Sequence, residues 1–312
     1  MSKKLLYLTG IIITIIIGCV LNYFLCCNGC KDSSSKKNTN QITEISKKKP
    51  VTILATKKSF NILDNSSGLA FQSIDNFTFL KDHYNIKDSL STDMNNQIDR
   101  LSIYLNNNVN KQVNVTGLYI SNEINKSIFP NLGYARANHI KNYFLFKGIS
   151  SKQINLSGQL DDTLIADTLQ VFYGPVNFTV TTLKANNNNN KNLQKLKDSL
   201  LRNPLTLYFK TKSNTLKLTK EQRQKVANLL TYVEKSDNSK LYVTGHTDNT
   251  GIRTKNIALA QGRADFVKSI LKTNGISESY INTNSKGPDQ PIADNTTEKG
   301  KAKNRRVTVT IN

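Results

Sequence analysis

The sequence predicts an α/β protein in which two tandem copies of one β-α-β-α-β-β domain, an α+β sandwich, follow an N-terminal apolar segment. Three observations carry this: a self-similarity at a shift of about 128 residues, an alternation of strand-like and helix-like periods, and one long apolar run within the first 30 residues.

The apolar run extends from Leu5 to Cys27, interrupted by Thr9, Thr14 and Asn22. A bilayer-spanning helix needs about 20 such residues, so residues 1–30 are expected to form an uncleaved transmembrane signal anchor in contact with membrane lipid. Ile16-Ile17-Gly18-Cys19 also has the form of a lipobox, which leaves acylation of Cys19 open, and a buried core helix is the third alternative. Lys3 and Lys4 face Lys31, Lys36 and Lys37 across the run, so charge does not orient it. All four cysteines (19, 26, 27 and 30) lie here. The rest of the chain is therefore expected to hold no disulfide, no thiolate metal site and no cysteine nucleophile.

Residues 31–50 are Ser- and Lys-rich without an apolar period and are expected to be a flexible linker, as is the Asn-rich stretch 184–197. Between and after them lie two domain-sized segments, 51–183 and 198–312. At an offset of 128, Tyr104 matches Tyr232, and Val115-Thr116-Gly117 matches Val243-Thr244-Gly245. After one inserted residue the offset becomes 127, and Arg136-Ala137, Lys141 and Gly148-Ile149-Ser150 match Arg263-Ala264, Lys268 and Gly275-Ile276-Ser277.

In the second copy, residues 205–209 alternate as a strand does, and Thr219 precedes a helix over 220–235 with Val226, Leu229, Leu230 and Val233 on one face. Residues 241–245 form a second strand. A long helix follows from about Thr254 to Asn274, with Leu259, Val267, Ile270 and Leu271 facing the core and Gly275 ending it. Two further strands are expected at 280–284 and 306–311, separated by a Pro-, Gly- and Asn-rich loop. The sheet should carry its helices on one face.

A polar loop, Gly245-His246-Thr247-Asp248-Asn249-Thr250-Gly251, sits at the carboxyl end of the second strand, where open α/β sheets bind ligands. Asn256 and Arg263 lie seven residues apart on the next helix and share a face. A carboxylate and a guanidinium in one cleft suit a zwitterionic ligand, Asp248 taking an ammonium and Arg263 a carboxylate. The plainer alternative is an internal Asp248–Arg263 salt bridge. His246 is expected to be a structural imidazole.

The stretches VTGHTDNTG at 243–251, Asn256, LAQGRA at 259–264, SKGPDQPIADN at 285–295 and AKNRRVTVTI at 302–311 together resemble the OmpA-like peptidoglycan-binding domain shared with Pal lipoproteins and MotB stators. The resemblance covers 198–312. It implies non-catalytic binding of the peptidoglycan stem peptide, with Asp248 on the diaminopimelate amino group, Arg263 on its carboxylate, Thr247 beside them and Asn256 in support. Arg305 and Arg306, with His246, are implied to be supporting residues. One departure is that Phe209 is followed by Lys210, where the family often has an acid. The resemblance also places both domains outside the cytoplasmic membrane, in the periplasm of a bacterial envelope.

The first copy has Leu118-Tyr119-Ile120 where the second has His246-Thr247-Asp248. It is expected to keep the fold and lack the site, serving as a spacer or a contact for an envelope protein partner.

The histidines are His83, His139 and His246, with no HExxH or GxSxG motif, so neither an enzyme nor a metal or cofactor site is expected. The net charge of +21 raises nucleic acid as a partner, but no nucleic-acid motif accompanies it. By segment the charge is +6 over 1–50, +1 over 51–183, +4 over 184–197 and +10 over 198–312. It concentrates in the copy with the intact motif and in the linkers, as attraction to an anionic wall would require.

Overall fold

Alternating burial along the chain sets the architecture, seen in a computed structural model that describes residues 54–183, 188–210 and 216–312. The expected transmembrane segment 1–30 with its cysteines, and the linker 31–50, lie outside the described residues. Among the described residues no helix is long and apolar enough to cross a membrane.

The first half runs β1 (Phe60–Asp64), β2 (Leu69–Ser73), β3 (Thr78–Leu80), α1 (Thr92–Asn107), β4 (Lys111–Tyr119), α2 (Leu132–Phe146), β5 (Ile154–Leu160), β6 (Val171–Tyr173) and β7 (Val176–Thr182). Its central strand β4 pairs parallel with β5 and antiparallel with β7. β1 and β2 form an antiparallel hairpin, and β3 pairs with β6.

The second half runs α3 (Asn188–Arg202), β8 (Leu205–Tyr208), α4 (Lys220–Lys235), β9 (Leu241–His246), α5 (Arg253–Thr273), β10 (Ile281–Gly287), α6 (Glu298–Asn304) and β11 (Arg306–Ile311). Its sheet has the order β10-β9-β11-β8, with β9 parallel to β10 and antiparallel to β11. Both halves thus surround their central strand with the same sense of pairing.

Local chemistry accounts for the boundaries. Thr219 and Gln222 form a capping box at the start of α4, each satisfying the other's free backbone N–H. Gly275 takes φ +90° just after α5, a conformation that favours glycine and ends the helix. In β9, Leu241 and Val243 are buried and Tyr242 is exposed, so one face of the sheet meets α4 and α5.

The structure differs from the sequence-based expectation at four points. The first half is not β-α-β-α-β-β: it has three strands before α1 and three after α2, because the hairpin β1–β2 and the short pair β3 and β6 are added to it. Part of the stretch 184–197 is helix: Leu193, Leu196 and Leu200 recur at spacings of three and four and pack on the second core, while the asparagines mask that period in the composition. Leu259 does not face the core; it is 43% exposed and lines a cleft. The loop between the last two strands contains α6, started by Thr297, whose hydroxyl accepts from the Gly300 N–H.

The halves share buried surface. Ile128, Phe129, Tyr134 and Ala135 of the first half belong to the same core cluster as Leu205, Leu230 and Leu271 of the second. Around this contact, Lys141 pairs with Glu234, both largely shielded from solvent, and Asn138 donates to the Asn274 carbonyl at 2.8 Å. Lys235 donates to the Ile154 carbonyl at 3.0 Å and to Asn155 Oδ1 at 2.7 Å. Burial is opposed only in part by Glu234, so the Lys235 amine falls to about 8. The two halves lie in one compact unit, Thr52–Asn312.

Candidate functional site

Gly245 in β9 lets the next helix come unusually close. A Cβ at this position would lie 1.9 Å from the Ala260 carbonyl oxygen. The close approach seats α5 against the end of β9, and Arg263, one turn beyond Ala260, lands beside the loop that carries Asp248. The same device recurs in the first half: a Cβ on Gly117 would lie 1.9 Å from the Gly133 carbonyl oxygen, and Arg136 follows Gly133 by three residues.

The cleft in the second half measures about 400 Å³ and is lined by Thr247, Asp248, Asn256, Leu259, Arg263 and Arg305, among others. Asp248 Oδ1 accepts from the Thr250 N–H at 3.0 Å, and Oδ2 accepts from Arg305 Nη1 at 2.8 Å. Burial pushes the Asp248 carboxyl up, but the hydrogen bonds from Arg305 and Thr250 outweigh it and hold the group below its ordinary value. Asp248 is therefore an anion at neutral pH.

Arg263 is 2% exposed, and its guanidinium lies 5.2 Å from the centre of the Phe209 ring. Its Nε and Nη1 find no hydrogen-bond partner among the described residues. Burial, with Arg305 nearby, lowers its pKa, and Asp248 opposes that shift. A buried guanidinium without partners carries a desolvation cost that an incoming carboxylate would relieve.

The remaining predicted residues support this pair. Asn256 Nδ2 donates to the Thr250 carbonyl at 3.0 Å and so ties α5 to the loop. The Thr247 N–H donates to the Gly287 carbonyl at 2.8 Å, while its buried hydroxyl has no partner among the described residues. His246 is buried with Nδ1 unpartnered; burial first, then Arg306 and Lys286, lower its pKa to about 4, so the imidazole is neutral at neutral pH. Arg306 does not line the cleft; it donates to the Gln290 carbonyl at 3.0 Å and the Asn304 carbonyl at 3.4 Å.

Of the two alternatives for Asp248, the internal salt bridge to Arg263 is not formed; Arg305 takes Asp248 instead. Arg305, named from the sequence as a supporting residue, lines the cleft. Asn304, to which sequence reasoning assigned no role, is fully buried. Its Oδ1 accepts from the N–H groups of Ile292 and Ala293, and its Nδ2 donates to the Ala293 carbonyl and to Asn295 Oδ1. One side chain thereby folds the loop that precedes Arg305; its place in the Asn-Arg-Arg motif was the available signal.

Clefts of similar size lie at Lys57, Asp88 and Tyr173, and between the halves at Gln112, Asn155 and Lys235. Neither is lined by a buried, unpartnered cation. Among the described residues no group of His, Cys, Asp or Glu could hold a metal ion.

Residues 208–305 match the model of the OmpA family. The chain is 51% identical over 69 residues to the "Probable lipoprotein YiaD" of Escherichia coli (strain K12), covering 22% of this chain and 32% of that protein. It is 34% identical over 101 residues to the peptidoglycan-associated lipoprotein of Buchnera aphidicola, covering 32% of this chain and 57% of that protein. The chain thus spans less than two thirds of the length of either relative. Among solved structures, the peptidoglycan-associated lipoprotein from Burkholderia pseudomallei matches with a TM-score of 0.32 and 24% identity, covering 34% of this chain and 89% of that one.

Proposed function

Because residues 208–305 carry an OmpA-family domain, we propose that this protein is a non-catalytic peptidoglycan-binding protein of the bacterial cell envelope. In this proposal it tethers a membrane to the wall by gripping the stem peptide at diaminopimelate. The observation that carries the proposal is Arg263: a buried guanidinium over Phe209, its Nε and Nη1 without a partner among the described residues, in the cleft that also holds the ionised Asp248.

The diaminopimelate side chain ends in an ammonium and a carboxylate on one carbon. Arg263 takes the carboxylate in its planar fork, and Asp248 takes the ammonium while it shares its second oxygen with Arg305. Thr247 offers an unused hydroxyl, and Asn256 keeps the loop in place. Membrane attachment rests on the apolar run 5–27, either as an inner-membrane anchor or, as the second form of the same proposal, as an outer-membrane lipoprotein acylated at Cys19. The halves are two copies of one domain, supported by the sequence offset, the common strand pairing and the shared glycine–arginine spacing. The first copy acts as a spacer or as the contact for an envelope protein.

Cosedimentation of the full chain with purified sacculi tests this. Wild type should pellet, and Asp248→Ala and Arg263→Ala should each remain in the supernatant with circular dichroism unchanged. Retention of both variants on sacculi would refute the site, and release of soluble muropeptides by wild type would refute the non-catalytic assignment.

A further inference from the structure

We propose that the first half retains a carboxylate-binding site and that its occupant is the chain's own Glu123. The site is built like the one around Arg263. Gly117 against Gly133 seats the helix as Gly245 against Ala260 does, and in both halves the arginine follows three residues later. Arg136 lies 5.6 Å from the Phe79 ring centre and 5.3 Å from that of Phe172, as Arg263 lies over Phe209.

The difference lies in what the guanidinium holds. Arg136 Nη1 donates to Glu123 Oε2 at 3.1 Å, Nη2 donates to Oε1, and both side chains are at most 1% exposed. The remaining donors are also used: Nε reaches the His83 carbonyl at 3.1 Å and Nη1 the Leu118 carbonyl at 2.9 Å. The carboxylate further accepts from the N–H groups of Ile120 at 3.0 Å and Asp82 at 3.1 Å. A bidentate carboxylate in a planar fork, closed by backbone donors, is the arrangement a bound carboxylate ligand would adopt.

Helix length makes the self-occupation possible. From glycine to arginine the halves run 19 and 18 residues, but α2 begins four residues before Arg136 whereas α5 begins ten before Arg263, so the non-helical connector spans 120–131 in the first half and 247–252 in the second. The residues left out of the helix fold back over the arginine and place Glu123 there, so ligand and site belong to one chain.

Chemical complementation tests whether the pocket around Arg136 accepts a carboxylate that is not attached to the chain. Glu123→Ala deletes a fragment the size of acetate and leaves Arg136 unpaired in the space that remains. The assay uses the full chain carrying Arg263→Met, which removes the second half's own response to carboxylates. Thermal unfolding of Glu123→Ala in this background is followed against sodium acetate at constant ionic strength. The midpoint should fall on substitution and recover along a saturating curve in the millimolar range. Acetamide and sodium chloride should give no recovery, nor should acetate when Arg136→Met is added. If Glu123→Ala does not fold, refolding yield with and without acetate gives the same comparison, as does Glu123→Gln, which fills the space and should not respond. The proposal is overturned by absence of recovery with acetate, by equal recovery with acetamide or chloride, or by recovery that survives Arg136→Met.

Discussion

Asp248 is bound by Arg305 at 2.8 Å, leaving Arg263 in the same cleft with two nitrogens that have no partner among the described residues. This relationship separates a structural salt bridge from a receptive site. Had Asp248 taken Arg263, the surplus cation would be Arg305, whose side chain is less buried. As it stands, the acid is already held and the surplus charge is a buried cation.

The Asp248–Arg305 pair predicts a change in titration. Hydrogen bonds from Arg305 and Thr250 overcome burial to keep the Asp248 carboxyl below 3.8. In Arg305→Ala burial has less opposition, so the carboxyl should titrate higher, as read by carbon NMR of the labelled side chain. The sign for stability follows. A depressed carboxyl stabilises the fold above its unfolded value and loses that contribution as pH falls through the folded value, so Arg305→Ala should flatten the acid limb.

Arg263→Met should separate stability from binding. The substitution keeps an apolar stem against Phe209 and removes an unpartnered buried charge, so the fold should be unchanged or stabilised by about 1 kcal/mol in urea unfolding. Sacculus binding should be lost in the same variant.

The glycine contact carries a larger penalty. Gly245→Ala places a Cβ 1.9 Å from a backbone oxygen, and displacement of α5 from β9 should cost about 3 kcal/mol or more. Gly262→Ala, in the same helix with nothing within 4 Å of the new Cβ, should instead stabilise by about 0.5–1 kcal/mol. Denaturant midpoints of the two variants check both signs.

His246 should impose a pH dependence. Its folded value, about 4, lies below the ordinary 6.5, so the unfolded chain binds the proton first as pH falls. Stability from this group is therefore complete above 6.5 and lost between 6.5 and about 4, on the order of 2 kcal/mol. Comparison of wild type with His246→Asn across that range isolates the term; identical pH profiles would contradict it.

Much of the second half was legible because its signals are local. The capping pair Thr219 and Gln222, the apolar face of α4 and the stop at Gly275 each lie within a few residues of the structure they dictate. The Asp248–Asn256–Arg263 grouping was legible for the same reason, as a loop and the face of the next helix. What was hidden depends on distance or direction. Arg305 reaches Asp248 across 57 residues, and nothing in Asn-Arg-Arg tells which arginine turns toward the cleft. Glu123 was hidden because α2 begins later relative to its arginine than α5 does, which the sequence match does not show, and the helix over Asn188–Arg202 because the asparagine run 186–190 leads into its leucines.

The central claim is that Arg263 receives a ligand carboxylate in a cleft completed by Asp248. Isothermal titration of the full chain with a soluble stem peptide ending in diaminopimelate tests it most directly. Wild type should bind with one site per chain, Arg263→Met should lose at least about tenfold in affinity, or 1.4 kcal/mol, and the same peptide with that carboxylate amidated should bind wild type as weakly. Equal affinity of wild type and Arg263→Met for the unmodified peptide would contradict the account.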